Sequence, residues 1–206
     1  MKESSTKLLN KRFLIKLVAE VATVVFAVLL ALGLNSWKEN KANRDEAAKA
    51  LDNIVREVEA NLKSLKSNIA VNDEKLPELK IMEDSLENHD KVDSYGVGYD
   101  QTFLNEAAWN AANATGSIKH FDYETIHELS EIYQLQTFYS RYGDNFFELA
   151  VSPDFYNADR ALELVKSNIT LIRISNSAGN SLVRLYQDFL AAHGKMEKAQ
   201  KETESN

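Results

Sequence analysis

The sequence predicts an all-α fold, in which an N-terminal transmembrane helix continues into a long helix that packs in an antiparallel helical bundle. Three observations carry this prediction. An apolar run between Phe13 and Trp37 is long enough to cross a bilayer. Downstream of it the apolar positions recur at intervals of three and four. Only 2 prolines and 7 glycines interrupt 206 residues, the balance of long helices rather than of many strands and turns.

The first element is the anchor. Residues 17–34 read LVAEVATVVFAVLLALGL, with one carboxylate, Glu20, and one hydroxyl, Thr23. A helix rising about 1.5 Å per residue needs about 20 such residues to cross about 30 Å of hydrocarbon. Trp37 falls where an aromatic ring sits among headgroups, and Asn35 and Ser36 mark the return to water. The expected organisation is a basic cytoplasmic tail over 1–12, an anchor over 13–37, a helical soluble domain over 38–196 and a frayed tail over 197–206. A cleavable signal peptide is the rival reading, since Ala31-Leu32-Gly33 places small residues, Ala31 and Gly33, where a peptidase could cut. The length of the run, its internal acid and its uninterrupted continuation past Trp37 favour retention. Lys2, Lys7, Lys11, Arg12 and Lys16 before the span favour a cytoplasmic N-terminus, although Lys38, Lys41, Arg44 and Lys49 follow closely on the other side.

Two features inside the span are candidates for partner contact. Glu20 in an apolar helix points to pairing or proton handling, because an isolated carboxylate there costs a few kcal/mol. Lys16 one turn earlier and the nearby boundary offer a plain structural role instead. Ala19, Thr23, Ala27 and Ala31 form a small-residue stripe on which another helix can approach closely.

The second element is a coiled-coil-like seam, Leu51, Val55, Val58, Leu62, Leu65 and Ile69. No Gly or Pro interrupts residues 34–76, so the anchor helix is expected to run as one rod to near Asn72, with Pro77 breaking or kinking it and a shorter helix over 78–88. Residues 89–100 read as a loop. A short helix is expected over 102–113, with Gly116 as its left-handed cap. Asp122 is the expected N-cap of a helix through Ile126, Leu129, Tyr133, Phe138, Tyr142 and Phe146. Ser152, Pro153 and Asp154 look like the start of a last long helix. Its seam is Phe155, Ala158, Leu162, Val165, Ile169, Ile172, Asn176, Gly179, Val183, Tyr186, Leu190 and His193, with a possible bend over 175–179. That helix is expected to return antiparallel along the first.

Composition removes several functions. Cysteine is absent, which excludes disulfides, thiolate metal sites and cysteine nucleophiles. The net charge is −7, and residues beyond 37 are more acidic still, so nucleic acid is not an expected partner. The glycines near residue 96 lack the spacing and the basic residue of a phosphate loop. Glu124 and His127 stand at i,i+3 as in di-iron bundles, but those sites need the pair twice and further carboxylates. No catalytic, cofactor or metal residues are therefore expected.

Two other side chains stand out. Asn176, polar within an apolar seam, is either a register device or an exposed partner-facing position. Trp109 either anchors a partner or packs in the core, the latter being the usual fate of a tryptophan so placed.

Residues 19–39, with Ala19-Glu20 opening the apolar run and Ala31, Leu32, Asn35, Trp37 and Glu39 closing it, resemble a bacterial family of uncharacterised single-span membrane proteins. Residues 103–139 are loosely similar to the soluble part of that family. Ala19 stands where Gly is common. The resemblance implies a bacterial inner-membrane location with an extracytoplasmic helical domain, and it assigns no activity.

The expected function is that of a non-enzymatic, membrane-anchored interaction or scaffold protein, whose partners are the lipid bilayer and either a second copy or another membrane protein. The alternative is an extracytoplasmic sensory or ligand-binding domain with Tyr95, Tyr99, Trp109 and Tyr123 around a pocket. A pilin-like subunit fits poorly, since Arg12 rather than Gly precedes Phe13.

Overall fold

The computed structural model describes residues 4–88 and 97–194, with side chains described throughout except at 4–12, 154 and 156. Four α-helices occur among the described residues and no strand: α1 (Ser4–Glu87), α2 (Ala107–Thr115), α3 (Tyr123–Ala150) and α4 (Ala161–His193). The chain divides into two units, residues 1–46 and 47–206. Residues 89–96 of the expected loop over 89–100, Tyr95 among them, and the tail over 197–206 lie outside the described residues.

In the first unit the apolar side chains are bare. Phe13, Val18, Phe26, Leu30 and Trp37 are all more than half exposed, and the most apolar window has mean hydropathy 2.5 with none of it buried. By length and composition this is one helix long and apolar enough to cross a membrane.

In the second unit α1, α3 and α4 form a bundle. Glu57 of α1 meets Tyr133 of α3, and further along Asn68 meets Tyr139, so these two helices run parallel. Asp73 meets Asn176, and Glu87 meets Lys166, so α4 returns antiparallel to α1 as the spacing predicts. One core centres on Ile54, Val58, Leu65, Leu129, Leu182 and Tyr186. A second, toward the end of α1, holds Leu79, Tyr99, Val165, Ile169 and Ile172.

The seam of α4 is buried at Val165, Ile169, Ile172, Asn176, Gly179, Val183 and Tyr186. A second column, Ala161, Leu164, Asn168, Ser175, Leu182 and Phe189, is buried beside it. The helix packs on α1 and α3 at once, so its buried face is wider than a two-helix seam. Gly179 lies where a Cβ would sit 3.1 Å from Ile69 Cδ1 and 3.3 Å from Tyr139 Cε2. Glycine here permits close approach, and α4 remains one continuous helix across 175–179.

Three expected boundaries are corrected. Pro77 does not end the helix: α1 continues through it to Glu87, and no separate helix exists over 78–88. Proline removes one N–H, but Leu76 and Leu79 on either side are packed in the second core, which holds the following turns in place. The short helix begins at Ala107 rather than at 102, because residues 97–106 are held in a non-helical conformation. The last long helix begins at Ala161 rather than after Pro153. Pro153–Tyr156 and Ala158–Arg160 are separate 3-10 turns, and Asn157 between them is extended, its side chain accepting the Asp159 N–H. Ser152 donates instead to the carbonyl of Leu149, finishing α3.

Other local signals hold. Gly116 takes φ 79° at the end of α2, and the Asp122 carboxylate accepts the Thr125 N–H at 2.8 Å at the start of α3.

Candidate functional site

The most unusual part of the bundle is segment 97–106, a stretch without regular structure that is gripped by side chains from all three long helices. Asn72 Nδ2 donates to the Asp100 carbonyl at 2.8 Å while the Asp100 N–H donates back to Asn72 Oδ1 at 3.0 Å. Asn61 makes the same pair with Asn105, at 2.7 and 2.8 Å. Each asparagine thus satisfies one residue's backbone donor and acceptor together, which a side-chain amide does because it carries both groups in one plane.

The spacing follows from the geometry of the two chains. Eleven residues of helix at about 1.5 Å each and five of extended chain at about 3.3 Å each both span about 16.5 Å. Asn61 and Asn72 therefore meet Asn105 and Asp100 in register, with the segment running antiparallel to α1. Between them Asn68 accepts the Tyr139 hydroxyl at 2.8 Å. From α4, Asn168 accepts the Gly98 N–H at 3.1 Å, and Ser175 bonds the Tyr99 hydroxyl. From α3, Gln136 donates to the Asn105 carbonyl and accepts from Tyr186.

The end of the segment is set by Glu57. Its buried carboxylate accepts the Ala108 N–H and the Tyr133 hydroxyl, each at 2.7 Å. Together with Asn105 Oδ1 on the Ala107 N–H, it caps the N-terminus of α2, where a negative group is favoured. Burial and the adjacent Glu57 push the Tyr133 hydroxyl pKa well up, and burial does the same to Tyr139 and Tyr186. Glu57, Asn61, Asn68 and Asn72 are positions that sequence reasoning missed. Their spacing of four, seven and four beside the apolar seam was the available signal.

Between this segment and α3 lies a groove of about 550 Å³. Tyr99, Leu104 and Phe146 line it, and Phe103 and Phe147, 95% and 67% exposed, are among its lining residues. Gly143 of α3 leaves room for Gln101, whose Cδ would lie 2.7 Å from a Cβ there. Gln101 Oε1 is buried without a hydrogen-bond partner.

The sequence-predicted residues fall in separate places. Of the aromatic set, Tyr99 alone lines the groove among the described residues; Trp109 stacks on Tyr133 with ring centroids 5.1 Å apart, and Tyr123 is 82% exposed. Trp109 packs against the first core, the bland outcome of its two readings. Asn176 is buried and donates to Asp73 Oδ1 at 2.8 Å, tying α4 to α1 rather than facing outward. Glu20, Ala19, Thr23, Ala27, Ala31 and Trp37 all lie exposed on α1, and the Thr23 hydroxyl donates to the Ala19 carbonyl at 2.8 Å. Glu20 and Lys16 form no ion pair. Glu124 and His127 gather no third ligand, and no group of three or more metal-binding side chains exists among the described residues.

Comparison with protein-family models, with curated proteins and with solved structures yields no match.

Proposed function

We propose that the chain is a single-pass membrane protein that acts by binding rather than by catalysis, as a tethered helical interaction or scaffold module. The observation that carries this reading is the bare apolar face of residues 13–37, whose large side chains need lipid or another helix around them. The basic residues Lys2 to Lys16 support a cytoplasmic N-terminus and a bundle on the outer side of a bacterial inner membrane, in keeping with the family resemblance of residues 19–39. The small stripe Ala19, Thr23, Ala27 and Ala31, with Glu20 beside it, is the surface this reading assigns to a second copy or another membrane protein.

Fusion of alkaline phosphatase or β-galactosidase after Asn206 tests the orientation, with activity expected from the phosphatase alone. Native mass spectrometry from mild detergent tests association. A strictly monomeric chain with no stoichiometric partner would overturn the scaffold reading.

A second reading, ligand binding by the soluble bundle, is favoured by one observation: the aromatic groove against α3 has the size of a small-molecule site, about 300–1,000 Å³.

A further inference from the structure

We infer that the groove between segment 97–106 and α3 takes a small organic cation, an ammonium group carried on an apolar body of about the size of a phenylalkyl chain. This inference rests on the ligand-binding reading and names its ligand class.

Five polar side chains of the groove, Gln101, Glu106, Thr137, Ser140 and Asp144, carry acceptors for a donor. Thr137 donates its hydroxyl proton to the Tyr133 carbonyl and Ser140 donates to the Thr137 carbonyl, so each turns only lone pairs to a guest. Gln101 Oε1 is buried and accepts no hydrogen bond. Glu106 and Asp144 also line the groove, and neither has an ion-pair partner among the described residues. Among the described residues no lysine, arginine or histidine lines it.

A carboxylate guest would meet two like charges, Glu106 and Asp144. A neutral apolar guest would leave Glu106 and Asp144 without a compensating charge. An ammonium supplies up to three donors to these acceptors and a compensating charge to the two carboxylates. The aromatic walls add to the match, since ring faces attract cations and bury an apolar body. Gly143 is part of the device: any side chain there would push Gln101 out of its place on α3.

The test uses the full chain in phosphatidylcholine nanodiscs, with empty discs as the blank, titrated calorimetrically with 4-phenylbutylammonium, 4-phenylbutan-1-ol and 4-phenylbutyrate. The ammonium is expected to bind at least about tenfold more tightly than the alcohol, with no detectable binding of the carboxylate. Glu106→Gln combined with Asp144→Asn should reduce the ammonium to the affinity of the alcohol. Ser140→Trp, at an exposed position, should fill the groove and abolish binding while the helical circular dichroism is retained; if that variant does not fold, Phe103→Ser, at the most exposed wall, should weaken the ammonium.

Equal binding of all three probes, or preference for the alcohol, overturns the cation and leaves the ligand-binding reading standing. Absence of binding by all three overturns both. Undiminished ammonium binding by a folded Ser140→Trp variant, or by Phe103→Ser in its place, overturns the location.

Discussion

Asn61 and Asn72 each do with one amide what a neighbouring β-strand does with its backbone, taking both the N–H and the C=O of a single residue. Loss of one such amide orphans a donor and an acceptor together, and each buried orphan costs about 1–3 kcal/mol. Asn72→Ala is therefore expected to lower the unfolding free energy by about 2–3 kcal/mol in urea titration, and Asn72→Leu, which restores volume but not bonds, should not recover it. At Asp122 the term is smaller and pH-dependent. The N–H and hydroxyl of Thr125 hold its carboxyl below the ordinary 3.8, so the contribution of the cap is present above that value and is lost as pH falls through the lower folded one. Asp122→Ala should cost about 1 kcal/mol at neutral pH, and the difference from the wild type should close as the solution is acidified below 3.8. The Asp122 cap was legible in the sequence because it involves only the next three residues. The asparagine ladder was not, because its partners lie 28 and 44 residues away.

Pro77 shows how an element can outlast its own breaker. Its missing N–H leaves the Asp73 carbonyl without a helical partner, yet α1 continues to Glu87 with Leu76, Leu79, Met82 and Leu86 packed against the second core. Pro77→Ala restores that bond, and an increase in unfolding free energy of up to about 3 kcal/mol is expected, read from the shift in denaturation midpoint. A decrease would mean that the local geometry imposed by proline is required by the packing around it. Residues 100–106 are the opposite case: 102–106 suit a helix by composition, but Asn72 holds the backbone N–H and C=O of Asp100, and Asn61 and Gln136 hold those of Asn105. Removing both clamps, in Asn61→Ala combined with Asn72→Ala, should abolish hydrogen-exchange protection of the Asp100 and Asn105 amides while the amides of α3 retain theirs.

At the scale of the whole molecule, the bundle is closed by tyrosine hydroxyls that reach between helices. Tyr133, Tyr139 and Tyr186 are all raised above the ordinary tyrosine value of 10.0 by burial, so the folded state holds them protonated where the unfolded chain releases the proton. Their contribution is fully present below pH 10.0 and is lost as pH rises beyond it. Alkaline titration followed by phenolate absorbance is expected to show these three ionising only together with loss of helical circular dichroism. In the first unit, Ala27→Leu combined with Ala31→Leu should weaken any association through the span without altering membrane insertion, as measured by cross-linking in native membranes.

By itself the sequence determined what depends on neighbours within a turn or two. The all-α class, the apolar span, the cap of α3, the left-handed Gly116 and the antiparallel return of α4 are written in periodicity, capping chemistry and chain reversal. Tertiary structure alone decided that α1 passes through Pro77, that 97–106 stays non-helical, that α4 buries two columns rather than one, and that a groove opens beside Gly143. In each of these cases the deciding group belongs to a distant part of the chain. An amide or a packed leucine brought there by the bundle outweighs the modest local preference of the residues it holds.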